Sequence, residues 1–406
     1  MLLPEPTGMD LRALLARPAV QRARARIGEL EEETLAEQLR IVVIPAPSFA
    51  EAERAEHVRH RLVSLGLADA HIDEAGNALA RLPSPADEAP AVVVSAHLDT
   101  VFADGTDLTP RHAGNRVFAP GITDNARGVA ALLTVARVLA DSGMRTTRPV
   151  WVVGTVGEEG SGDLRGTKHL FRTGGPLARP AAFIALDGSG IRRIVHRAIG
   201  ARRLRMVIEG PGGHSWSDWG TANPLHALGR VIEAMLRIPL SEQPATTLTV
   251  ARAGGGSSVN AIPAAAWLEL DLRSEAQETI AAAESACRRI AAEAVEAANR
   301  ERRPGTNALS LRIEVIGDRP SGRIAEDAPL VAAAAAATRA VGARPELVAS
   351  STDSNVPMSL GVPAVTLGAG GESGGIHTAE EWFCGRDAAR GVERALLTVL
   401  AMAGVG

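Results

Sequence analysis

At 406 residues the chain is too long for one ordinary core, so two domains are the expectation. A hydrophobic share of 46% with 22% charged residues is that of a globular protein, and a net charge of −4 with no large basic block argues against a nucleic-acid surface. No run reaches the ~18 apolar residues of a membrane-spanning helix, the opening MLLPEPTGMDLRALLARP lacks the basic-then-apolar order of a secretory signal, and Cys287 and Cys384 stand far apart without thiolate-metal spacing, so a cytoplasmic enzyme is expected.

Residues 17–66 read as helical. Leu35, Leu39, Val42 and Val43 form one stripe, broken by Pro45 and Pro47. Ser48 and Glu51 have capping-box spacing, opening a second helix that Gly66 stops. Gly76-Asn77, between two short extended pieces, predicts an edge hairpin. Residues 91–99, AVVVSAHLD, are a continuous apolar run ending in a histidine and an aspartate. Such a run predicts a strand buried on both faces of a parallel sheet. Parallel sheets bind ligands beyond the carboxyl ends of their strands, where His97 and Asp99 sit.

Asp124 stands at the start of a helix with the stripe Val129, Leu132, Leu133 and Ala136, ended by Gly143. A carboxylate there is also favoured simply as a cap. Residues 149–156, PVWVVGTV, form a second apolar strand, followed by Gly157 and the adjacent acids Glu158 and Glu159. Two neighbouring carboxylates repel unless a cation or proton relieves them. Residues 181–186, AAFIAL, are a third strand, ending in Asp187-Gly188. A fourth, 363–367, runs through a glycine-rich loop to His377; Thr378 and Glu381 have capping-box spacing, which predicts a helix just after His377.

Between the third and fourth of these strands the texture changes, over 199–317. RLRMVIEG and WLELDL alternate as half-exposed strands, Asn223-Pro224 starts a helix, an alanine-rich helix runs from Ser274 to about Arg300, and LRIEVIG closes the unit. A two-layer α+β sandwich follows.

His97, Asp99, Asp124, Glu158, Glu159, Asp187 and His377 thus gather at strand ends and loop starts. Two imidazoles with carboxylates and no thiolate suit Zn²⁺, Mn²⁺ or Co²⁺. With a base and an orienting acid set aside, five ligand candidates remain, more than the roughly four one zinc takes. That number fits two metals sharing a bridging carboxylate with a hydroxide between them. A carboxylate outside the ligand set must then move the proton, and the Glu158-Glu159 pair offers one of each.

The order HLD, D-N at a helix start, G-E-E, D-G and a late G-x-H-T resembles the co-catalytic dizinc peptidases: peptidase T, glutamate carboxypeptidase of the carboxypeptidase G type, aminoacylase and acetylornithine deacetylase. The resemblance implies an α/β catalytic domain with a largely parallel central sheet flanked by helices, over 1–198 and 318–406, and an inserted α+β sandwich lid or dimerisation domain over 199–317. It implies two zinc ions per subunit, cobalt or manganese being possible. Asp124 would bridge them, His97 and Asp187 binding one and Glu159 and His377 the other. Asp99 would orient His97, and Glu158 would be the general base. In the lid, His214 would stabilise the tetrahedral intermediate, the matching histidine of the family often reaching a partner's site. Asn260 and Arg273 would grip the substrate carboxylate. The implied activity is cleavage of an amide in a small peptide, as an exopeptidase of carboxypeptidase or tripeptidase type, by a homodimer. The alternatives are an N-acyl-amino-acid deacylase and a catalytically silent binding relative. The silent relative is disfavoured because all seven positions carry competent residues. A dizinc phosphodiesterase is disfavoured because no Arg or Lys clusters surround the strand ends. The helix start ITDNARG departs from the family, many of whose members have glycine before the aspartate and lysine after it. Asp187, a glutamate in the diaminopimelate and ornithine branch, leans the reading towards the peptidases.

Overall fold

The computed structural model describes residues 11–82, 84, 88–172, 174 and 177–406. The chain divides into two compact units, Met1–Ala198 with Arg323–Gly406, and Ile199–Gly322. The second crossing falls at 322/323, beyond the expected 317/318. The reason is that β14 (Ser310–Arg319) stays paired with β9 (Gly200–Glu209) as far as Arg319 opposite Ala201.

The first unit begins with α1 (Leu11–Leu15), α2 (Pro18–Glu29), α3 (Glu31–Val42) and α4 (Ala52–Ser64), followed by the edge hairpin β1 (Ala68–Ile72) and β2 (Ala78–Leu82). The central strands are β3 (Val92–His97), β6 (Val150–Thr155), β7 (Ala182–Leu186) and β17 (Ala364–Leu367), mutually parallel in the order β6-β3-β7-β17. The flanks are mixed: β2 runs antiparallel to β6, β8 (Arg193–Ala198) antiparallel to β17, β16 (Glu346–Ser350) parallel to β8, and β15 (Gly322–Arg323) lies at the edge.

Burial explains why these strands carry no polar alternation. Val92, Val94 and Ala96 of β3 enter one core with α5 (Ala126–Asp141) and α11 (Ala388–Ala403). Val93 enters a second core on the other face, with residues from α6 (Arg165–Leu170) and α10 (Asn355–Ser359). A strand buried on both faces is dominated by apolar residues, and in β3 only Ser95 and His97 depart from that. The register sets His97 opposite Thr155 and Leu186 opposite Leu367, so the carboxyl ends of all four strands share one edge of the sheet. Helix α9 (Pro329–Ala340) packs on α11 within the first core.

Three local expectations are corrected. In α3 the buried positions are Thr34, Glu37, Gln38, Ile41 and Val42, whereas Leu35 and Leu39 are half-buried and Val43 lies outside the helix, exposed. The polar residues face inward because they have partners there: Thr34 meets Thr134 of α5, and Gln38 Nε2 donates to the Ile122 carbonyl at 2.8 Å. The capping box at Ser48 does not form; α4 starts at Ala52, with Glu51 as its uncapped first neighbour. No helix follows His377 either. The segment turns between β18 (Glu372–Gly374) and β19 (Trp382–Cys384), which joins β5 (Arg116–Phe118) and β4 (Arg111–Ala113) in a separate four-stranded sheet.

The second unit is an antiparallel sheet, β11 (Thr246–Gly255), β13 (Ala265–Ser274), β9 and β14 in that order, with α7 (Pro224–Met235) and α8 (Gln277–Glu301) on one face. Leu268, Leu270 and Leu272 of β13 enter its core with Val231 of α7 and Cys287 of α8, while the intervening residues face away. Asn223 caps α7 as expected, accepting from Leu225 N–H at 2.9 Å. A short ribbon pairs β10 (Gly213–His214) with β12 (Ala261–Ile262). Among the described residues no helix is long and apolar enough to cross a membrane.

Candidate metal centre

The edge reached by β3, β6 and β7 carries His97, Glu158 and Glu159, and Asp187 on its turns. Asp124 joins them from the loop before α5. It is not that helix's cap: Asn125 is, its Oδ1 accepting from Gly128 N–H at 3.0 Å. The capping explanation for Asp124 therefore falls away. Its carboxylate lies between two imidazoles, Oδ1 at 3.0 Å from His97 Nε2 and Oδ2 at 3.1 Å from His377 Nε2. His377 Nε2 is also 3.1 Å from Glu159 Oε1, and His97 Nε2 is 3.7 Å from Asp187 Oδ1.

Three groupings have ligand atoms mutually within 4.8 Å: His97, Asp124 and Asp187; Asp124, Glu159 and His377; and His97, Glu158 and Glu159. Asp124 belongs to the first two, the relation a bridging ligand needs. Asp124 Oδ1 is buried and makes no hydrogen bond despite its approach to His97. A buried carboxylate oxygen without a donor is costly, and one facing an imidazole nitrogen and further carboxylates is the donor set of a borderline divalent cation. The residues fit two such ions.

Asp99 works differently from the expectation. His97 Nδ1 donates to the Asp99 main-chain carbonyl at 3.1 Å, whereas the carboxylate is 3.6 Å away, beyond hydrogen-bond range. The imidazole is nevertheless held with Nε2 turned towards Asp124, as a ligating histidine requires. The Asp99 carboxylate instead accepts from the N–H groups of Glu158 at 2.8 Å and Glu159 at 2.9 Å, and from Ser48 Oγ at 2.7 Å. Burial alone would raise its pKa, but the His97 ring, Ser48 and the Glu159 N–H outweigh it and hold the carboxyl down at about 2. Asp99 thus ties the histidine strand to the acidic turn. That turn needs Gly157, at φ +66°, where a Cβ would also strike the Arg165 side chain.

Burial opposes ionisation of Asp124 as well, yet the two imidazoles keep its pKa well below the usual carboxylate range. The reverse pull raises His377 to about 10, through Asp124 first and then Glu159. His97, whose burial favours the neutral ring, is still raised by Asp124, Asp187 and Asp99.

Four supporting residues escaped the sequence reading. Ser48, whose spacing to Glu51 predicts a cap, instead holds the Asp99 carboxylate. Arg54, fully buried, donates from Nη1 to the Leu98 carbonyl at 2.8 Å and anchors the end of β3. Its signal was available: an arginine in register with Val58 and Leu62 on the apolar face of α4. Asp353, buried beneath the edge, accepts from Thr155 Oγ1 and Thr167 Oγ1, both at 2.5 Å, and burial raises its pKa. Glu381, also read as a cap, is fully buried and accepts from three backbone N–H groups of the Asp124 loop.

His214, Asn260 and Arg273 all lie in the second unit. His214 and Asn260 are neighbours: β10 pairs with β12, and Ser215 N–H donates to the Asn260 carbonyl at 3.0 Å. Arg273 pairs in register with Ala201, at the far end of β13 from Ala265, and its Nε donates to Asp271 at 2.8 Å. Strand rise puts the two ends about 26 Å apart, so the structure does not bring Asn260 and Arg273 together.

Comparison with known proteins agrees with this architecture. The model of peptidase family M20/M25/M40 matches residues 93–401. Carboxypeptidase G2 of Pseudomonas sp. (strain RS-16) is 27% identical over 200 residues, 47% of this chain and 46% of that protein, so the match spans under half the relative's length. The inferred succinyl-diaminopimelate desuccinylase DapE of Mycobacterium tuberculosis is 26% identical over 249 residues, 60% of this chain and 68% of that one. In structure, aminopeptidase PepT of Bacillus cereus superposes with a TM-score of 0.73 at 22% identity, over 92% of this chain and 99% of that one. A tripeptidase of Staphylococcus aureus gives a TM-score of 0.75 at 22% identity, over 92% and 98%. The chain belongs to peptidase family M20/M25/M40.

Proposed function

We propose that this protein hydrolyses the amide bond of a small peptide, as an exopeptidase of carboxypeptidase or tripeptidase type, with two divalent metals, zinc foremost. The supporting observation is the position of Asp124 between His97 at 3.0 Å and His377 at 3.1 Å, one carboxylate oxygen to each. His97 and Asp187 would hold one ion, Glu159 and His377 the other, and Asp124 both. Bound there, such ions lower the pKa of water and polarise a carbonyl. Glu158 takes a proton from the attacking water and delivers it to the leaving amine as the C–N bond breaks. Asp99 keeps the Glu158 backbone and the His97 ring in one frame.

His214 and Asn260 act on the bound substrate, and Arg273 reads a free carboxylate. In this reading the protein is a homodimer, with the second unit as its lid or dimerisation domain. A cytoplasmic location accords with two cysteines that form no disulfide.

A deacylase of N-acyl amino acids is the second reading, favoured by the longer match to the desuccinylase than to the carboxypeptidase. Zinc-loaded protein assayed against dipeptides, tripeptides and N-acetyl or N-succinyl amino acids separates the two. Turnover of free peptides supports the peptidase, and turnover of N-acyl amino acids alone selects the deacylase. No turnover by fully loaded protein would leave the silent relative.

A further inference from the structure

Glu381 lies outside the ligand set, yet its environment is more specific than a structural carboxylate requires. Its side chain is fully buried, and main-chain N–H groups donate to its carboxylate. Oε1 accepts from Thr123 N–H at 2.8 Å and Asp124 N–H at 3.0 Å, and Oε2 accepts from Gly121 N–H at 2.9 Å. The Glu381 carbonyl accepts from Ala119 N–H at 3.0 Å, so both ends of the residue grip the loop of residues 119–124. That loop presents Asp124. Along the chain, Glu381 stands four positions after His377 and just before β19, and its N–H donates to the Thr378 carbonyl at 3.1 Å. One residue therefore joins the two segments whose side chains must meet a common ion at Asp124 Oδ2 and His377 Nε2.

We propose that Glu381 is a positioning residue that pre-assembles the Asp124–His377 half of the metal centre. Burying a carboxylate costs free energy that these donors offset in part; the return is a loop that cannot shift Asp124 away from His377. This inference rests on the two-metal reading, and deepens it by naming what fixes the geometry. Because Asp124 belongs to both metal groupings, loosening it weakens both ions, and the one held with His377 more.

The test uses the full-length protein stripped by chelator and titrated with zinc against a competing chelating dye, for wild type, E381A, E381Q and E37Q. Glu37 is another buried carboxylate of the first unit, bound to His57, Arg40 and Arg61 on α3 and α4, and serves as the stability control. Wild type is expected to bind two zinc ions. E381A should bind them about 10–100-fold more weakly, E381Q by an intermediate factor, and E37Q with wild-type affinity even where its metal-free melting temperature falls as far. Should E381A fail to fold, E381Q carries the test. Two zinc ions bound by E381Q and E381A at wild-type affinity would overturn the positioning role alone. A wild type that binds no metal would overturn the underlying reading together with it.

Discussion

The carboxyl edge of the central sheet and the face of the second unit's sheet turned away from α7 and α8 both concentrate charge, and they treat it differently. On the second sheet, charge is matched side chain to side chain. Glu269 lies between Arg205 at 2.5 Å and Arg252 at 3.0 Å, Asp271 meets Arg273, and Arg205 and Arg252 flank the Trp267 ring at 4.7 and 5.6 Å. The arginines of that ladder are part-exposed, so water shares their solvation. At the edge, carboxylates gather around two imidazoles, and two of the buried ones, Asp99 and Glu381, are held by backbone N–H groups. Buried like charges are stable only when something positive completes them. A ladder of this kind decorates a surface; the edge is an assembly with a role for a cation.

Several experiments break or sharpen that contrast. The largest effect is expected from metal removal: exhaustive dialysis against chelator should abolish turnover, and zinc, cobalt or manganese should restore it. Full activity with no metal by elemental analysis would show that the edge needs no cation. Next, Glu158→Ala should lower kcat by about 10²–10⁴-fold while two metals stay bound, as counted by elemental analysis. Loss of metal in that variant would mean that Glu158 and Glu159 exchange roles, an outcome the grouping of His97 with both glutamates makes worth checking.

A smaller effect concerns pH. In metal-free protein the pKa of His377 is pushed up to about 10 by Asp124 and Glu159. The folded value exceeds the unfolded one of about 6.5, so the stabilisation is full below roughly pH 6.5 and fades as pH rises through 10. The melting temperature of the metal-free protein should therefore fall across that window, and less so in His377→Ala. Zinc must displace these protons, so calorimetry at pH 7 in buffers of different ionisation enthalpy should register proton release. Binding with no proton released would contradict the His97 and His377 assignments. The smallest effect belongs to the ladder. Glu269→Gln should cost no more than about 1 kcal/mol in chemical denaturation; a loss of about 3 kcal/mol or more would place the ladder in the same class as the edge.

Much of the centre was legible because strands buried on both faces leave few places for polar residues. His97, Glu158, Glu159 and Asp187 stood out against Val92–His97, Val150–Thr155 and Ala182–Leu186 for that reason. At Ser48 and Glu381 capping-box spacing describes only a local possibility, and each side chain instead finds a distant partner, 51 and 257–260 positions away. The helix expected after His377 failed for a related cause: Trp382 and Phe383 pair with Phe118 and Val117, a long-range ladder that overrides a local signal.

By itself the sequence determined the apolar strands, the residues at their tips and the inserted unit, since the periodicity of burial is written in consecutive side chains. Tertiary structure decided which partner each polar group takes: the Asp99 carbonyl for the His97 ring, its carboxylate for the acidic turn, Glu381 for the Asp124 loop, and the Asn260 carbonyl for the Ser215 N–H. Hydrogen bonds need donor and acceptor within about 3 Å, and only the folded chain brings residues hundreds of positions apart to that distance.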